Sequence, residues 1–216
     1  MKKGDVVKIE YVGRLDSGEI FDLTNEDLAK KEKIFNPKAR YSPVPVIVGA
    51  NFILPGLDGE LEKMDVNEEK EVVIEPQDAF GKRMPEMIKT LPLKSFKETP
   101  KPGTVVDFGE ALGRVQAVSG GRVRVDFNHP LAGKRLHYKI KITGKIEGEK
   151  EKINAVLEFF GINADKIEVE GKAAKIFAPA PKQIKDRIAD IIIKWIGLES
   201  VEFVERYEKK PESKQT

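Results

Sequence analysis

Tyr11 and the pair Phe21-Asp22 are the residues whose types and spacing suggest chemistry. They stand on either side of the turn signal Asp16-Ser17-Gly18 in the run YVGRLDSGEIFD, with one buried-looking carboxylate among aromatic and apolar neighbours. Such a group suits a pocket that desolvates and orients a substrate, and it supplies no nucleophile. Other routes to catalysis are closed. The 216 residues include no cysteine, which excludes disulfides, thiolate catalysis and thiolate metal sites. The two histidines, His129 and His137, are too few for a histidine metal centre. His129 reads as a polar side chain ordering the bend NHPLAG, and His137 as a residue flanking a strand. There is no phosphate loop, dinucleotide glycine motif or GxSxG elbow, and acidic pairs such as Glu68-Glu69 read as solvated surface.

Strands must hold these residues. Val6, Lys8, Glu10 and Val12 alternate with Val7, Ile9 and Tyr11, and Glu19 to Asp22 begins the return strand. A short helix is expected over 24–34, capped by Thr24 or Asn25. A loop rich in proline leads to the alternating Val44, Val46 and Val48. Leu57, Leu61 and Met64 then share one face of a helix that should pack on a sheet. Residues 68–76 read as a strand ended by Pro76. Between 83 and 131 the character changes. Prolines separate Met84, Met87, Ile88, Leu91, Leu93 and Phe96, and three strand candidates follow: TVVDF, GRVQAVS and RVRVDF. The last two are joined at Gly120-Gly121 as a two-residue hairpin. HYKIKITGKI restores the alternation. The rest reads as an α-β-β-α-β module. Its second helix, 181–196, carries an apolar stripe of Ile184, Ile188, Ile191, Ile192 and Trp195, with Gly197 as its C′ residue.

The bulk numbers fit a folded protein of two or three modules, 40% hydrophobic and 34% charged. Thirty-eight basic and 36 acidic side chains nearly cancel, and they form no basic stripe, so no nucleic-acid partner is expected. No apolar run has the length of a membrane span, and Met1-Lys2-Lys3-Gly4-Asp5 leads straight into strand-like sequence. A cytoplasmic protein with no membrane partner is the expectation.

Four segments, in order, carry a resemblance. YVGRLDSGEIFD resembles the N-terminal signature of the FKBP (immunophilin) family of peptidyl-prolyl cis/trans isomerases. VPVIVGANFILPGLDGELEKM is similar to the family's strand-and-helix segment, PQDAFGK to its A-[YF]-G loop, and LHYKIKITGKI to its last strand. The segment before NHPLAGKRLHYKI resembles the insert-in-flap domain of the SlyD-like subgroup, in a long archaeal-type form with an extra C-terminal domain. The resemblance implies an α+β fold, an antiparallel half-barrel wrapped on a short helix. It implies domains at 1–83 with 130–149, an inserted β-rich chaperone domain at 84–129, the module at 150–208 and a tail at 209–216.

By position it implies catalytic roles for Asp22, Tyr11, Phe80 and Tyr138. Phe21, Val46, Ile53, Leu54 and Leu57 would bind substrate, and neither a cofactor nor a metal would be needed. Phe80 stands where the family often has Tyr, and Leu57 where many members have Trp. The tail EKKPESKQT lacks the His- and Cys-rich composition of the subgroup, so no nickel or zinc role is expected. Unfolded, proline-containing polypeptides are the implied partners. Met84, Met87, Ile88, Leu91 and Phe96 either hold such chains or fill the insert's own core. Two readings of function result: an isomerase with chaperone activity, and a binding module with negligible turnover. For the C-terminal module, filling its own core competes with a two-fold contact between copies. A module of about 60 residues is near the limit of independent stability, which favours the homodimer.

Overall fold

The computed structural model describes residues 1–109 and 111–205; the expected tail at 209–216 lies outside them. The chain divides into two compact units. One comprises Met1–Val73 with the described residues from His137 onward, and the other Ile74–Leu136. In chain order the elements are β1 (Val6–Leu15), β2 (Ile20–Leu23), α1 (Glu26–Lys31), β3 (Val44–Ile47), α2 (Pro55–Leu61), β4 (Glu69–Ile74), β5 (Ile88–Pro92), β6 (Val105–Asp107), β7 (Leu112–Ser119), β8 (Arg122–Asp126), β9 (Leu136–Ile146), α3 (Glu149–Phe159), β10 (Lys166–Glu170), β11 (Ala173–Phe177), α4 (Lys182–Ile191) and β12 (Ser200–Val204).

The first unit is built on a sheet of order β2-β1-β9-β4, with β3 also paired to β1. Pro45 is tolerated because β3 is an edge strand that pairs only with β1. Of the two expected caps of α1, Asn25 serves: its side chain accepts from the Leu28 N–H at 2.8 Å. Pro55 starts α2, where a missing N–H costs nothing. The pairing of β1 with β2 is irregular. Gly13 faces Asp22 and Arg14 faces Ile20, so Phe21 is an extra residue with no partner. Such a bulge lets neighbouring side chains leave strict alternation.

The C-terminal segment has the expected α-β-β-α-β order, with β10-β11-β12 as one sheet and β12 parallel to β11. It is not a separate domain, which corrects the expected division at 150. Val6 and Ile47, cross-strand partners, are buried in one cluster with Ile153, Leu157, Ile176, Ile188 and Ile192. Alternation puts Val6 on one strand face with Lys8 and Glu10, whose polarity alone would leave that face in water. Instead α3 lies across β3 and covers that end of the sheet on its second side. The apolar stripe of α4, which argued for a two-fold contact, is thereby largely used within the chain. The last turn, Ile192–Ile196, widens to a π-helical turn before Gly197 ends it.

The second unit is an antiparallel sheet of order β5-β8-β7-β6 over a core of Val115, Val123 and Val125. The Gly120-Gly121 turn has φ of 56° and 71°, as a type I′ hairpin requires. β5 was not among the expected strands: its ILP ends are apolar, but the surrounding prolines obscured it. Pro92 closes this edge strand. The unit also extends past the expected limits of 84 and 129. Asn128 bonds both Met84 backbone groups at 2.8 and 3.0 Å, Gly133 N–H donates to Gly81 at 2.8 Å, and Arg83 pairs with Asp126. These bonds draw the flanking segments into the unit. Among the described residues, no helix is long and apolar enough to cross a membrane.

The shared core of the first unit generates a prediction. Ile188→Ala should cost roughly 2–5 kcal/mol in urea denaturation. Trp195 fluorescence and the Tyr11 ring signals should be lost together; two separate transitions would mean that the C-terminal segment folds apart from the sheet.

Candidate active site

The turn after β1 returns β2 so that Tyr11 and Thr24 lie opposite each other. The Thr24 hydroxyl accepts from the Tyr11 N–H at 2.9 Å and donates to the Tyr11 carbonyl at 3.3 Å, while Thr24 N–H donates to that carbonyl at 3.0 Å. Thr24 is buried, so these bonds fix the Tyr11 backbone from inside. The Tyr11 hydroxyl donates to Asp22 Oδ2 at 3.0 Å. The Tyr138 ring from β9 meets Tyr11 at 5.8 Å and Phe21 at 5.6 Å, both edge to face. The bulge explains how Phe21 and Asp22, adjacent in sequence, join the same cluster. Asp22 itself is exposed, which corrects the buried carboxylate expected from its neighbours. A carboxylate at the mouth of an aromatic cluster remains hydrated on one side.

Gly13 lies beneath this cluster. A Cβ there would stand 2.7 Å from Phe21 Cζ, closer than side chains approach, and 3.1 Å from Tyr138 Cε1, a tight contact. Sequence reasoning passed over Gly13, although an isolated glycine within a strand pattern signals a bulge or a close approach. Burial, and then the Asp22 charge, push the Tyr11 phenol well above its ordinary range; the same two causes, in the same order, raise Tyr138. Both rings are therefore neutral across the physiological range.

Ile53 and Leu54 are half-buried at the end of the loop that leads into α2. Asp58, only 5% exposed, holds that loop. Its Oδ1 accepts from the Gly49 N–H at 2.8 Å and its Oδ2 from the Asn51 N–H at 2.9 Å. This fixes a turn in which Asn51 has a left-handed φ of 56°. Asp58 was another residue missed; the acid in LDGELEKM carries no signal in sequence beyond its place in the first turn of a helix.

Val46 is 1% exposed and paired with Val7, so it is core beneath the site and offers no surface to a ligand. The half-buried Val44, opposite Ile9, stands two pairs nearer Tyr11. Leu57 is also enclosed, with Leu61 on the inner side of α2. A cavity of about 780 Å³ elsewhere in this unit is lined by Lys8, Lys145, Lys150, Glu151, Glu158 and Asp165 among others. It has no aromatic lining and shares no residue with the Tyr11 cluster.

A family model for FKBP-type peptidyl-prolyl cis-trans isomerase matches residues 1–97, and one for the FKBP26 IF domain matches residues 89–131. A short-type peptidyl-prolyl cis-trans isomerase from Methanocaldococcus jannaschii is 34% identical over 154 residues, 70% of this chain and 98% of that protein. The chain belongs to the FKBP-type isomerase family. An FKBP-type 16 kDa peptidyl-prolyl cis-trans isomerase of Escherichia coli is 31% identical over 149 residues, covering 66% of this chain and 91% of its own. SlyD of Helicobacter pylori is 35% identical over 119 residues, 52% of this chain and 64% of its own length. The protein is thus a peptidyl-prolyl cis-trans isomerase of α+β fold, with SlyD among its relatives.

Phe80 belongs to the second unit, where its ring stacks on His129 with centroids 4.1 Å apart and planes 4° from parallel. His129 orders its bend as expected, Nδ1 accepting from the Leu131 N–H at 3.1 Å. Of the residues expected to hold unfolded chains, Leu91 and Phe96 pack on the Val115, Val123 and Val125 core, and Met87 and Ile88 are half-buried. Met84 is 46% exposed. The larger exposed apolar side chains here are Val105 at 51% and Leu112 at 63%, which were not expected. They flank a groove with Arg114 and Lys134 in its walls.

Two outcomes follow from the cluster. Gly13→Ala should push Phe21 or Tyr138 aside and lower kcat/KM roughly 10- to 100-fold on a proline peptide, the scale of an ångström-sized misplacement. Unchanged kcat/KM would show that the rings have room to spare. For the phenols, the folded state favours the neutral form, so that stabilisation is complete below the ordinary pKa of about 10 and lost as pH rises through the raised one. Urea midpoints measured between pH 9 and 11.5 should fall more steeply for the wild type than for Tyr11→Phe; parallel profiles would contradict the environment described for Tyr11.

Proposed function

We propose that the protein accelerates rotation about X-Pro bonds in unfolded or partly folded polypeptides of the cytoplasm, and that its second unit holds those chains. The observation that carries the reading is the Tyr11–Asp22 hydrogen bond within the Phe21 and Tyr138 ring cluster. Rotation about the peptide bond faces ~18–20 kcal/mol because amide resonance must be broken. Neither a nucleophile nor a metal is needed to lower it. A site that favours the twisted amide over the planar one is sufficient.

Aromatic walls from Tyr11, Phe21 and Tyr138 take the substrate carbonyl out of water, which disfavours the charge-separated planar form. Ile53 and Leu54 support the proline ring. The Tyr11 proton is engaged by Asp22, so the pair presents a fixed dipole and a carboxylate rather than a free acid. Phe80, in the second unit, has its ring stacked on His129 and lacks the phenolic donor that tyrosine would bring. Proline substrates suit such a site because X-Pro bonds populate both isomers.

Exposed Met84, Val105, Phe108 and Leu112 support a holding role for the second unit, since apolar side chains left in water beside basic ones suit unfolded chains.

Exchange NMR on an Ala-Leu-Pro-Phe peptide tests the catalytic reading. Asp22→Ala should lower kcat/KM about tenfold, equivalent to roughly 1.4 kcal/mol, with the fold intact. Unchanged exchange would remove Asp22 from the site, and line broadening without faster exchange would favour capture without turnover. For the second unit, residues 84–129 are deleted and the ends bridged. Turnover of the short peptide should survive, while proline-limited refolding of a whole protein slows by about tenfold or more as a linked binding site is lost. Equal refolding rates would refute the holding role.

A further inference from the structure

Phe52 immediately precedes Ile53 and Leu54, and its ring is held by the C-terminal segment. Its centroid lies 4.4 Å from Phe159 and 6.4 Å from Phe160, and those two rings are 5.5 Å apart. The Arg187 guanidinium from α4 sits 5.4 Å over the Phe160 ring. The same turn of α3 reaches the other loop of the sheet: Arg40 pairs with the Glu158 carboxylate, which also lies 3.9 Å from Lys8. The short loop from Gly49 to Leu54 therefore has two anchors. Asp58 bonds its backbone at Gly49 and Asn51, and the Phe159-Phe160 pair grips its one aromatic side chain. A loop of this length cannot move Phe52 without moving Ile53.

We infer that Phe52 is a positioning residue of the isomerase, and that the end of α3 sets where Ile53 and Leu54 stand. The C-terminal segment is then part of the apparatus that defines substrate affinity. Its phenylalanines touch no substrate and act through the loop. The inference rests on the reading of Ile53 and Leu54 as the floor of the site.

The test uses the full chain and steady-state kinetics on the proline peptide. Phe159→Leu and Phe52→Leu keep an apolar side chain but lose the ring contacts. Each should raise KM about three- to fivefold with kcat nearly unchanged, and the double variant should do no more than either alone, as residues acting through one contact behave. The Ile53 and Leu54 methyl NMR signals should shift and broaden in Phe159→Leu. Ile176→Val, in the central strand of the C-terminal sheet, serves as the comparison: it should lower the urea midpoint without altering KM or those methyl signals. Folded Phe159→Leu with unchanged KM and methyl signals would overturn the inference, as would effects of Phe52→Leu and Phe159→Leu that multiply. Ile53→Ala separates the two levels. If it leaves KM unchanged, the floor reading itself falls; if it raises KM while Phe159→Leu does not, only the positioning role falls.

Discussion

One extra residue in β2 is the constraint on which the site depends. In a regular strand Phe21 and Asp22 would point to opposite faces of the sheet. Because the register slips between Gly13 and Arg14, Phe21 can turn onto the Tyr138 ring while Asp22 still receives the Tyr11 hydroxyl. The absence of a side chain at Gly13 leaves room for both rings. The remaining features stabilise this arrangement: Thr24 fixes the Tyr11 backbone, β9 supplies Tyr138, and Asp58 fixes the loop that ends in Ile53 and Leu54.

The polar groups closest to the core, Thr24 and Asp58, are structural, whereas the carboxylate at the mouth is exposed. Thr24 and Asp58 are buried with their hydrogen bonds satisfied by backbone groups, as the cost of burying polar atoms demands. Asp22 stays exposed to water. The covering of β3 by α3 extends the same principle. Val6 and Ile47 would present an apolar surface to solvent if the C-terminal segment were absent, and that segment would lose part of its own core.

Much of this could be read from residue order. The strands, the hairpin at Gly120-Gly121 and the α-β-β-α-β succession follow from alternation, helical periodicity and turn chemistry. The site residues were reached by resemblance, since alternation alone separates Phe21 from Asp22 and nothing local marks a bulge except Gly13. Val46, carried over by resemblance, is enclosed, because a run of alternating valines does not say which end is buried. The burial of Val6 is not legible locally, because alternation describes one sheet and cannot show that a distant helix covers its second face. Strand β5 was hidden by prolines that end strands as readily as they forbid them. Long-range packing, rather than local propensity, accounts for each of these differences.

On the proposed mechanism the barrier falls through desolvation and shape, with no proton moving in the rate-limiting step. Tyr11 and Tyr138 are held neutral, and the Tyr11 proton is already committed to Asp22. The solvent deuterium isotope effect on kcat/KM for a short proline peptide measures this directly. A value of about 1 is predicted, whereas a value of about 2 or more would show proton transfer by a general acid and contradict the account.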